Sequence, residues 1–232
     1  MIPLRDSNPT ERFPLVTVLL IVVNGIVFLY ELSLGEKGAQ AMLGAFALVP
    51  ARLASGNLPV PGTVPVGVTV ITSMFLHGGF LHVIGNMLYL WIFGNNVEDA
   101  MGRLRFAVFY LLCGTAAAMG HAFLNLRSTV PMIGASGAVS GVLGAYLLLY
   151  PRARVLTLFI LGFFVRLIEV PALVVLGFWF VLQFLNALIA SGAGGGVAWY
   201  AHLGGFAAGM VLVGLFKRRG VLFGGRGSHD VL

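Results

Sequence analysis

Apolar residues run along this chain in long blocks, separated by short clusters of Arg, Gly, Pro and acidic residues. Roughly 30 Å of hydrocarbon, crossed at about 1.5 Å per residue, needs about 20 apolar residues. Six blocks meet that length: residues 14–34, 74–95, 104–124, 132–150, 170–190 and 197–216. The apolar core of the first is too long for a signal peptide, and no small-residue cleavage site follows it. The pattern predicts an all-α membrane protein, a bundle of six transmembrane helices over residues 14–216. It leaves a cytoplasmic N-terminal segment, 1–13, and a basic cytoplasmic tail, 217–232.

Two connections stand out. Residues 35–72 read as a long external loop containing "SGNLPVPGTVPVG". Residues 155–169, "VLTLFILGFFVRLIE", are apolar, short and bracketed by Arg154 and Arg166. The second reads as an interfacial segment along the cytoplasmic face, or alternatively as a re-entrant piece, with Pro171 opening the next helix in its first turn.

Composition sharpens the picture. Hydrophobic residues make up 59% and charged residues 9%, with a mean hydropathy of +0.97, whereas a soluble domain carries roughly 25% charge. The net charge of +6 falls in small groups between apolar blocks, which argues for topology signals and against a nucleic-acid partner. With the N-terminus inside, Arg5, Arg12, Arg103, Arg105, Arg152, Arg154, Arg166, Lys217, Arg218, Arg219 and Arg226 all face the cytoplasm. Lys37, Arg52 and Arg127 stay outside, so both termini are expected to be cytoplasmic. The single cysteine, Cys113, excludes an intrachain disulfide.

Polar side chains in hydrocarbon are costly and mark function. Here they are His77, His82 and Asn86 in the second block, His121 in the third, Ser136 and Ser140 in the fourth and His202 in the sixth. Blocks two, four and six run from outside to inside, so His82, Asn86, Ser136 and His202 converge in the outer half of the membrane. These groups suit acyl transfer, with Ser136 as nucleophile and His202 as its base. His82 and Asn86, four residues apart, share one helix face and can donate to an oxyanion. Ser136 opens its helix, so its own backbone N–H is a third donor. His77, five residues from His82, is expected to point away from that face and to be structural. His121 takes no role, and Trp91, Trp179 and Trp199 read as packing or interfacial anchors. No carboxylate neighbours any site residue in sequence, which favours a dyad oriented by packing over a triad. Gly137 and Gly141, like Gly205 and Gly209, form small-xxx-small pairs that would let helices four and six approach closely.

The stretches "HGGFLHVIGNMLYLWIFGNNVED" (77–99), "GASGAVSG" (134–141) and "AHLGGFAAG" (201–209) resemble, in order and spacing, the rhomboid family of intramembrane serine proteases. The likeness runs over about residues 14–216. It implies Ser136 and His202 as catalytic residues and His82, Asn86 and the Ser136 amide as the oxyanion hole. His77, Gly134, Gly137, Gly205 and Gly209 would be structural support. It implies transmembrane protein substrates, a lipid bilayer environment, and neither cofactor nor metal. The setting implied is a prokaryotic plasma membrane with the site opening to the extracytoplasmic side. The fifth helix, with the following "SGAGGG", would form a lateral gate. One position departs from the pattern: where many relatives carry an aromatic against the catalytic histidine, this chain has Ser140, and Trp199 or Tyr200 is the candidate replacement. The competing readings are a catalytically weak or inactive rhomboid-like binding or quality-control factor, a metalloprotease without the H-E-x-x-H signature, and a channel without mid-membrane charge.

Overall fold

Helix α1 (Leu15–Ser33) turns its polar side inward: Thr17, Asn24, Phe28 and Glu31 are buried, while Leu19, Val23, Ile26 and Leu29 are exposed. Such an inverted helix suits lipid surroundings, where a polar group is satisfied only inside the protein. The computed structural model describes residues 1–55, 63–190 and 199–225. After α1 come α2 (Gly35–Phe46), α3 (Pro50–Ser55), α4 (Val66–Thr72) and a 3₁₀ turn, Ser73–Phe75. Next are α5 (Phe80–Tyr89), a π turn at Leu90–Gly94, α6 (Asn95–Met101), α7 (Arg103–Leu124), α8 (Ser136–Leu149), α9 (Ala172–Ala190) and α10 (Trp199–Phe216).

Among the described residues α1, α7, α9 and α10 are long and apolar enough to cross a bilayer. A fifth span results if Val66–Phe75 and Phe80–Met101, bent by 83°, count as one. The chain is a multi-pass membrane protein. The block expected at 132–150 becomes helical only at Ser136, because the preceding chain is held extended. Met132 and Leu48 exchange backbone hydrogen bonds of 2.7 and 3.2 Å, and Gly134 N–H donates to the Ser73 carbonyl at 2.8 Å. Helix α8 therefore rises about 21 Å, less than the hydrocarbon thickness. The described residues of the connection at 35–72 are largely helical, with α2 and α3 tied together by Arg52, whose guanidinium donates to the Gly44 carbonyl at 2.8 Å.

The all-α expectation needs correction. Strands β1 (Ile2–Asp6), β2 (Arg154–Leu161) and β3 (Phe164–Pro171) form one antiparallel sheet in the order β1-β2-β3. Residues 155–169 thus form most of a hairpin. Its turn is Gly162–Phe163, with Gly162 at φ +57, a value two-residue hairpin turns favour. Both faces of the hairpin carry Val, Leu, Ile and Phe, so the period-2 alternation that marks a strand is absent from the sequence. The base of the sheet is anchored by burial of Val155 and Thr157 and by Asp6. The Asp6 carboxylate accepts the Tyr146 hydroxyl at 2.7 Å and the Asn96 amide at 2.8 Å.

Helix α8 sits at the centre, with Gly137 through Tyr146 all buried. It packs against α7 and α10. A Cβ at Gly205 would run into the Gly137 carbonyl, and one at Gly209 into the Gly141 carbonyl. The two expected small-xxx-small stripes therefore meet face to face. The start of α1 is fixed by the buried Glu98 carboxylate, which accepts Val16 N–H at 3.0 Å, Thr17 N–H at 2.8 Å and the Thr17 hydroxyl at 2.8 Å. It serves as a remote N-terminal cap, satisfying donors that have no intrahelical partner.

Candidate active site

Ser136 is the first residue of α8, and His202 lies in the first turn of α10. Glycine-lined contact between these helices brings His202 Nε2 to 2.7 Å from Ser136 Oγ across 66 residues of sequence. Ser136 is half-buried, while His202 is buried, 9% exposed. The Ser136 N–H belongs to the unpaired amides at a helix N-terminus, where the dipole favours negative charge.

The other His202 nitrogen is also engaged: Nδ1 lies 2.7 Å from Gln183 Oε1 on α9. Two indoles flank the ring. Trp179 is tilted at 6.0 Å, and Trp199 packs edge-on at 5.9 Å. Ser140, at the position where an aromatic was expected, instead returns its hydroxyl to the Ser136 carbonyl at 2.6 Å. Of the two rings proposed from sequence, Trp199 reaches His202, whereas the Tyr200 hydroxyl donates to the Ala187 carbonyl at 3.4 Å. Gln183 is a residue that sequence reasoning did not assign, and Trp179, read there as a packing or interfacial anchor, reaches His202. The signal available for Gln183 was a pair of amides, Gln183 and Asn186, inside "FWFVLQFLNALIA", polar groups in an apolar span.

His82 and Asn86 lie on α5 and meet at Gly134. A Cβ on Gly134 would stand 2.6 Å from His82 Nε2 and 3.6 Å from Asn86 Nδ2, and Gly134 has φ +113. Only glycine suits both the conformation and the space. His82 Nδ1 accepts the Gly78 N–H at 3.4 Å, which leaves the ring proton on Nε2, the atom facing Gly134. Asn86 Nδ2 lies 3.0 Å from His77 Nε2; one amide proton goes there and the other is free.

His77 does not point away from His82. Their rings meet edge-on at 5.0 Å, because His77 falls in the break before α5, where helical spacing does not govern direction. Glu31, at the end of α1, accepts the His77 backbone N–H at 3.2 Å, so a carboxylate distant in sequence braces this side of the site. The "SGAGGG" segment falls outside the described residues.

Comparison with known proteins adds the decisive observation: residues 67–219, which contain every one of these side chains except Glu31, match the Rhomboid domain. The chain belongs to the rhomboid family. It is 33% identical over 153 residues to "Rhomboid protein 1, mitochondrial" of Saccharomyces cerevisiae, covering 62% of this chain and 40% of the relative. With "RHOMBOID-like protein 4" of Arabidopsis thaliana it shares 32% identity over 80% of this chain and 43% of that protein. With "Rhomboid protease GluP" of Bacillus subtilis it shares 29% over 93% of this chain and 38% of the relative. This rhomboid chain thus matches about two fifths of the length of these relatives.

Proposed function

We propose that this protein is an intramembrane serine endopeptidase that cuts transmembrane segments of other membrane proteins. The observation that carries the reading is the 2.7 Å approach of His202 Nε2 to Ser136 Oγ, beside two donors aimed at the backbone that precedes the serine. In the proposed reaction Nε2 takes the Oγ proton as Oγ bonds to the scissile carbonyl carbon. The oxyanion is held by His82 Nε2–H, the free Asn86 amide proton and the Ser136 N–H. His202 then gives its proton to the leaving amine. Water, deprotonated by the same nitrogen, releases the acyl group from Ser136. His77 and Gly134 hold the donors in place, and Gly137, Gly205 and Gly209 hold the two helices together.

The finer topology belongs to the same proposal: six crossings, with α8 completing a span through the extended residues before it, and both termini cytoplasmic. Eleven of the fourteen Lys and Arg residues fall on that side when it is chosen, which is the bias the positive-inside rule describes. The relatives include a yeast mitochondrial protein, a plant protein and a bacterial one, so they lend no support to a prokaryotic plasma membrane in particular.

The test is labelling of the detergent-solubilised chain with a fluorophosphonate, in which Ser136 Oγ bonds to phosphorus and fluoride leaves. Labelling of the wild type, and of neither Ser136→Ala nor His202→Ala, is the expected result. No labelling of folded wild type would favour the alternative, a rhomboid-like protein that binds membrane proteins without cutting them.

A further inference from the structure

A base that receives a serine proton must present a lone pair at Nε2, which requires the ring hydrogen to sit on Nδ1. In serine hydrolases with a triad a buried carboxylate enforces this. Here no carboxylate fills that place among the described residues: Glu31 is committed to His77, and Glu98 to the start of α1. The atom that does face Nδ1 is Gln183 Oε1 at 2.7 Å, from a side chain 8% exposed. A carbonyl oxygen only accepts, so this contact selects the Nδ1–H tautomer.

Building on the serine-protease reading, we propose that Gln183 is the positioning residue behind the dyad, a neutral third member that fixes the His202 tautomer and ring plane. An amide dipole stabilises the imidazolium less than a carboxylate does, but it requires no buried ion in a low-dielectric interior. The arrangement also divides the machinery among three helices, with Ser136 on α8, His202 on α10 and Gln183 on α9. Helix α9 is fastened to α10 through this bond and the Trp179 and Phe180 contacts to Phe206, at 6.1 and 4.8 Å. Its outer face, with Val181, Leu182 and Leu185, is exposed. The tautomer of the base is therefore coupled to the seating of α9 against α10.

The test measures fluorophosphonate labelling of the purified full chain, separating the rate at saturating probe from the half-saturating concentration. Gln183→Met keeps the shape and removes the acceptor. Its saturating rate is expected to fall about 10- to 100-fold, with the half-saturating concentration and thermal midpoint nearly unchanged. Gln183→Asn, whose oxygen is withdrawn by one methylene, should lose a similar factor, while Gln183→Glu should recover the wild-type rate because a carboxylate oxygen accepts the same proton. Wild-type labelling in Gln183→Met, or an inactive Gln183→Glu that remains folded, overturns this proposal alone. A folded wild type that takes no label overturns the protease reading and this proposal with it.

Discussion

The carbonyl of Gly137 lies directly against the Cα of Gly205, so a Cβ at Gly205 would collide with backbone. Backbone in the centre of a packed bundle cannot step aside as a flexible side chain can. Gly205→Ala is expected to lower stability by at least ~2 kcal/mol and to abolish fluorophosphonate labelling by driving His202 away from Ser136. The neighbouring Gly204→Ala places its Cβ 3.7 Å from the Ala117 Cα, an ordinary contact, and should be neutral or slightly stabilising. Equal thermal midpoints for the two variants in detergent would contradict this account of the α8–α10 contact.

Glu98 caps α1 across the chain, accepting from Thr17, 81 residues earlier. Removing its carboxylate leaves two backbone N–H groups and one hydroxyl at the start of α1 without an acceptor. Glu98→Ala should cost about 2–4 kcal/mol, and Glu98→Gln should recover part of that through its remaining oxygen. Thermal unfolding of the three proteins measures the order directly, and an Ala variant as stable as wild type would show that solvent or lipid headgroups replace the cap.

The donors at Gly134 give a prediction for catalysis. Asn86→Ala is expected to reduce turnover of a membrane substrate by about 10- to 1000-fold if the free amide proton meets the oxyanion. Gly134→Ala, forced to a φ of +113 with its Cβ 2.6 Å from His82 Nε2, should displace His82 and lose at least as much. Wild-type turnover in Asn86→Ala would remove that residue from the oxyanion hole.

Asp6 supplies a pH dependence outside the spanning segments. Burial pushes its carboxyl up from 3.8 to about 6, against the lowering effect of the Tyr146 hydrogen bond. Between these values the folded protein holds a proton that the unfolded chain has released. Stability therefore falls as pH rises from 4 to 6, by up to ~3 kcal/mol for this group, and stays lower above 6. Asp6→Asn is neutral throughout and should lack this slope. Parallel thermal midpoints for wild type and Asp6→Asn at pH 4, 5, 6 and 7 would refute the assignment.

The sequence alone determined the elements whose signal is local. A run of some 20 apolar residues is enough to specify α1, α7, α9 and α10, because a helix in lipid must satisfy its backbone within itself. Polar residues stranded in the apolar blocks, with glycines at a spacing of four, also marked Ser136, His202, His82 and Asn86 as candidates. The tertiary structure decided what depends on partners far away in the chain. Whether residues 154–171 form helix or hairpin depends on β1 and on burial of one face at its base. Where α8 begins depends on Leu48 and Ser73 holding the preceding residues extended. That Gln183, rather than a carboxylate, faces His202 depends on how α9 seats against α10. A one-dimensional pattern records what each residue costs in lipid or water, whereas which two polar atoms meet is set by the packing of several helices at once.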